Sequence, residues 1–114
     1  MFAPLLQNLR DRQPLVHAIT NYVTANDCAN LLLACGASPV MADDPDDAPQ
    51  ITAHAGGLVL NLGTLHRGTI PAMLACGRIA AQRGLPVVLD PVGVGASTLR
   101  TDTALQLLRE VPIA

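Results

Sequence analysis

With 114 residues the chain is long enough for one domain, residues 1–114, and too short for two. Half of it is hydrophobic, yet it holds one Phe, one Tyr and no Trp. Its core must then come from Leu, Val, Ile, Ala and Met, which suits helices on a parallel sheet better than an aromatic-rich sandwich. Seven Arg, no Lys and nine acidic residues leave a net charge of −2, which excludes a basic footprint for nucleic acid.

Residues 3–12 carry a weak helical pattern, with Leu5, Leu6 and Leu9 opposite Arg10, Asp11 and Arg12, ended by Pro14. This N-terminus lacks the charged start, apolar stretch and small-residue cleavage site of a secretion signal. No apolar run approaches the roughly 20 residues of a spanning helix. Cys28, Cys35 and Cys76 are odd in number and show no CxxC spacing, which fits free thiols in a reducing compartment. The expectation is a soluble cytoplasmic protein that engages neither membrane nor nucleic acid.

"PLVHAIT" (14–20) is the first expected strand. Thr24 and Asp27 then resemble a capping box before a helix with Cys28, Leu31, Leu32 and Cys35 at helical spacing, ended by Gly36. "ASPVM" (37–41) is a short extended run, and the acidic stretch after it suits a helix N-terminus. Gly56-Gly57 makes a turn, "LVLNL" (58–62) a strand interrupted only by Asn61, and residues 65–83 a helix stopped by Gly84. "PVVLD" (86–90) is another strand, 91–99 a loop, and 100–111 a last helix with Thr101 or Asp102 as N-cap. Strands alternating with helices indicate βαβ units and an α/β fold with a mostly parallel sheet.

In such a sheet ligands bind outside the carboxyl ends of the strands. Thr20-Asn21, Met41, Asn61 with Gly63-Thr64, and Asp90 with Gly93 and Gly95 all follow strands, so polar groups and permissive backbone gather on one edge. Two readings of Asp90 stand. It holds a metal or a phosphate-linked water, or its carboxylate caps the loop's own N–H groups. The two glycines allow an anion to approach, but "GVGAST" lacks the Lys of a Walker loop and has Thr98 where a dinucleotide fingerprint needs Gly. "DDPDD" (43–47) lacks calcium-loop spacing, His17 fits a satisfied structural histidine, and Met41 suits either core or a heterocycle wall.

Taken in order, "PLVHAITNYVTANDCANLLLACGASPVMADDPDDAPQI", "LVLNLGTLHRGTI" and "GLPVVLDPVGVGASTLRTDTALQLL" resemble the hydroxyethylthiazole kinase family over residues 14–111. The resemblance implies a ribokinase-like fold, here its N-terminal part, and homotrimers with thiazole sites at subunit interfaces. It implies transfer of phosphate from ATP, with Mg2+, to the primary alcohol of 4-methyl-5-(2-hydroxyethyl)thiazole in thiamine salvage. Carried over by position, it assigns Met41, Asn21 and Val23 to the thiazole pocket, and Gly63 and Thr64 to the adjoining subunit's contribution. Asp90 would face the triphosphate and magnesium. "ASPVMADD" and "NLGTL" separate the chain from the related NAD(P)H-hydrate dehydratases.

Family chains run well past "REVPIA". The remainder carries the next strand with an ATP-contacting Arg, a glycine-rich anion hole and the cysteine taken as the catalytic group. None of Cys28, Cys35 or Cys76 falls at that position. The sequence therefore leads one to expect a truncated kinase, with an open sheet edge, inactive alone. The alternative is a non-catalytic fragment that acts as an oligomerisation module.

Overall fold

The computed structural model describes all 114 residues. In chain order they form α1 (Phe2–Arg12), β1 (Leu15–Ile19), α2 (Ala25–Cys35), β2 (Ser38–Met41) and α3 (Ala48–Thr52). There follow β3 (Gly57–Asn61), α4 (Ile70–Arg83), β4 (Val87–Asp90) and α5 (Thr98–Glu110). All four strands run parallel in the order β2-β1-β3-β4, so the expected α/β class holds. No helix is long and apolar enough to cross a membrane.

The chain leaves β1 in one direction, towards β2, then crosses back past β1 to β3 and on to β4. Right-handed crossovers therefore put α2 on one face of the sheet and α3 and α4 on the other. Side chains agree with that rule. His17 meets Thr52 of α3, while Ala18, the next residue, shares an apolar hollow with Cys28, Leu31 and Leu32 of α2. The core lies on the α4 face, where Ile19, Leu58, Leu60 and Val87 pack under Ala72, Met73, Cys76 and Ala80 of α4 and Leu107 of α5. Ala72, Cys76 and Ala80 recur every fourth residue, a small-residue stripe that brings α4 close to the sheet. Gly77 goes further: a Cβ there would overlap the Val111 side chain at the end of α5.

The helix stops follow from the sequence. Gly36 and Gly84 sit in left-handed conformation at φ 103° and 67°, which costs glycine nothing. The starts differ more. α4 begins at Ile70 because Thr69 Oγ1 donates to the His66 carbonyl and closes a turn before Pro71, so residues 65–69 are not helical. α5 begins at Thr98, with Ser97 as its cap: Ser97 Oγ accepts from the Arg100 amide. Thr101, an expected cap, instead accepts from the Gly95 amide and braces the preceding loop. α3 is closed by a distant cation, since Arg83 Nη1 donates to the carbonyls of Thr52 and Ala55.

Candidate functional site

The strand order reverses between β1 and β3, the point at which open α/β sheets place ligands at their carboxyl ends, and here the loops after those two strands meet. Asn21 follows β1 and Asn61 ends β3. Asn21 Nδ2 donates to Asn61 Oδ1 at 3.2 Å, and the Gly63 amide donates to the same oxygen at 2.8 Å. Asn61 Nδ2 then donates to Asp90 Oδ2 at 3.0 Å, across to β4. At the other end Asn21 Oδ1 accepts from both the amide and the hydroxyl of Thr24, each at 2.9 Å. One polar relay thus runs Thr24–Asn21–Asn61–Asp90 along the carboxyl edge.

This relay corrects the expected capping box. The Thr24 hydroxyl caps no backbone amide of α2; it accepts only the weak Cys28 thiol there and donates back to the Asn21 side-chain carbonyl. The relay also explains Gly63. A Cβ there would stand 2.8 Å from Asn21 Cβ and 2.9 Å from Asn61 Oδ1, so a side chain would wedge the two asparagines apart.

Asp90 is exposed at the lip of β4, pointing neither into the core nor onto its own loop. Its carboxylate takes the Asn61 amide rather than loop N–H groups, so the capping reading fails and the second oxygen stays available. The glycines of the following loop are explained by conformation. Gly93 and Gly95 have φ 77° and 92°, and the Arg100 side chain fills the hollow of Gly93 while donating to the Val92 carbonyl. That loop closes on itself through Arg100.

Met41, at the end of β2, pairs in register with Ala18. With Ala18, Thr20, Tyr22, Ala25 and Asp43 it lines a half-open, largely apolar cavity of about 150 Å³. Thr64 carries φ 44°, a strained conformation for a β-branched residue, costing on the order of 1–3 kcal/mol, and its hydroxyl accepts from the Tyr22 amide. Of the residues expected at the site, Asn21, Gly63 and Asp90 are brought together by the relay. Met41 and Thr64 are joined to them through Tyr22, next in chain to Asn21. Val23, 83% exposed, does not line the cavity.

Asn61, placed on this edge from the sequence but given no role there, is the centre of the relay; Tyr22, Asp43 and His66 complete the edge and were not singled out as site residues from sequence. Asn61 left a usable signal, as the one polar residue in an apolar strand. Asp43 was masked by its acidic neighbours, and nothing local ties it to Tyr22. The Tyr22 hydroxyl donates to Asp43 Oδ2, and this bond pushes the phenol above its usual range. The buried histidine is structural. His17 Nε2 donates to the Ala42 carbonyl, so Nδ1 accepts from Thr52, and burial lowers the imidazole below its ordinary value. Burial likewise pushes the Cys76 thiol up, away from thiolate chemistry.

A parallel sheet wound in both directions, with its polar relay and small cavity at the carboxyl edge, has the architecture of the doubly wound α/β proteins. The model of the hydroxyethylthiazole kinase family matches residues 6–114, and the chain belongs to that family. It is 58% identical over 111 residues to a hydroxyethylthiazole kinase of Clostridium acetobutylicum, covering 97% of this chain and 41% of that one. A homologue of that name from Desulfovibrio desulfuricans is 54% identical over 114 residues, covering all of this chain and 40% of the relative. The solved structure of a hydroxyethylthiazole kinase from Pyrococcus horikoshii superposes with a TM-score of 0.90 at 45% identity, over 94% of this chain and 42% of that one. The chain thus spans about 40% of the length of these relatives.

Proposed function

We propose that the whole protein transfers phosphate from ATP to the primary alcohol of 4-methyl-5-(2-hydroxyethyl)thiazole. In this reading the chain supplies the thiazole wall and the carboxylate that faces magnesium. The observation that carries it is the relay. Asn61 fixes one oxygen of Asp90 and, through Asn21, ties it to the loop that walls the Met41 cavity. An engineered cavity of about 150 Å³ holds one benzene-sized ring, which suits a single thiazole. Met41 offers that ring a polarisable, adaptable thioether.

The donor set suits magnesium. Mg2+ keeps most of its waters and is held by one or two carboxylates together with substrate phosphates. Asp90 fits that role, with one oxygen held by Asn61 and the other open. No group of three His, Cys, Asp or Glu side chains is placed to hold a metal, so a cation here depends on the nucleotide for its remaining ligands. Magnesium would supply neutralisation of the spread-out charge on the transferring group. Asn21, Asn61 and Gly63 fix the carboxylate, and the Met41 cavity orients the ring. No catalytic group is assigned among these residues.

A homotrimer belongs to the same proposal. Val23 and Thr64 are exposed beside the cavity rather than in it, where an adjoining subunit would meet them. Calorimetry of the chain with the thiazole alcohol and MgATP tests the reading. We expect saturable thiazole binding that Met41→Arg abolishes, and no turnover by these 114 residues alone. Binding indifferent to Met41→Arg would place the ring elsewhere.

A further inference from the structure

Three carboxyl-edge loops converge on one side chain that the family assignments leave out. Tyr22 sits in the loop after β1. Its amide donates to Thr64 Oγ1 in the loop after β3, at 3.1 Å. Its hydroxyl donates to Asp43 Oδ2, in the loop after β2, at 2.9 Å. The same hydroxyl oxygen accepts from His66 Nε2 at 2.9 Å, and the two rings stack with centroids 6.0 Å apart and planes 25° from parallel. A phenol has one proton to give, so the directions are fixed: His66 donates to Tyr22, and Tyr22 donates to Asp43. Tyr22 and Asp43 are also walls of the Met41 cavity.

We propose that Tyr22, pinned by Asp43 and His66, is the wall that sets the specificity of the Met41 cavity. It admits one five-membered heterocycle and rejects fused two-ring compounds. The wall rests on the reading of this cavity as the thiazole site; the pin rests on the hydrogen bonds alone. Tyr22 is a positioning residue. It holds the strained Thr64 through its backbone and limits the cavity through its ring. Without the pin the ring would be free to swing out, because it is 63% exposed and only these polar contacts and the His66 stack fix it.

The chain has one tyrosine and no tryptophan, so its tyrosine absorbance and fluorescence report on Tyr22 alone. Titrating tyrosinate absorbance, with circular dichroism confirming the fold at each pH, should give a midpoint above the ordinary 10.0, and Asp43→Ala should lower it towards that value. At neutral pH, where the fold is not in question, Asp43→Ala should relieve quenching of the same residue. An ordinary midpoint together with fluorescence indifferent to Asp43→Ala overturns the pin.

Binding of 4-methyl-5-(2-hydroxyethyl)thiazole and of 2-(benzothiazol-2-yl)ethanol then tests the wall. The wild type should prefer the single ring by at least about tenfold, and Tyr22→Ala should erase most of that preference. Tyr22→Phe, which keeps the ring and loses the pin, should weaken single-ring binding by about 2- to 10-fold. A Tyr22→Ala variant with the preference intact overturns the wall. If the wild type binds neither compound while the tyrosine behaves as expected, the thiazole reading falls and takes the wall with it; the pin stands.

Discussion

The two faces of the sheet are built from adjacent residues of the same strands, yet they differ sharply. On the α4 face Leu60 is 0% exposed; on the opposite face Val88, one strand over, is 53% exposed. There α2 covers β1 and leaves an apolar hollow of about 170 Å³ reaching Val59. The outer edge of β4 is met only by the amide of Ala114, which donates to the Val87 carbonyl. A parallel sheet normally has both faces covered. Here stability resides on one face, while the polar relay runs along the edge the two faces share.

Mutations should separate the faces. Leu60→Ala removes a fully buried side chain, and we expect a loss of about 2–5 kcal/mol in urea unfolding. His17→Leu leaves Thr52 and the Ala42 carbonyl without their partner, for a loss of about 1–3 kcal/mol. Its pH dependence sharpens the point. Because the native imidazole is lowered below 6.5, the unfolded chain binds the proton first. The contribution of His17 is full above 6.5 and declines as pH falls through the lowered native value. Unfolding midpoints between pH 7.5 and 5.5 should therefore fall more steeply for the wild type than for His17→Leu. At the small end, Val88→Thr on the open face should change stability by no more than about 0.5 kcal/mol. A large loss there would show that the open face is already packed.

Much of this was legible beforehand, for physical reasons. Apolar runs bounded by Gly and Pro marked all four strands, and Gly36 and Gly84 ended the helices as expected because a left-handed stop needs glycine. The placement of Asp90 at the lip followed from the end of its strand. Helix starts were less legible, since caps compete: Ser97 won over Thr101, whose hydroxyl was taken by Gly95. Least legible were contacts set by strand order. Nothing in the sequence puts Asn61 between Asn21 and Asp90 until β3 lies between β1 and β4. The Tyr22 pin likewise joins residues 21 and 44 positions apart.

Paramagnetic broadening by Mn2+ in the presence of ATP tests the role of Asp90 most directly, since the manganous ion stands in for magnesium and marks the amides around it. That role places the broadened amides at Asn61–Gly63 and at Asp90, Val92 and Gly93, with the effect lost in Asp90→Asn. Broadening centred on the acidic residues 43–47, or unchanged by Asp90→Asn, would contradict it.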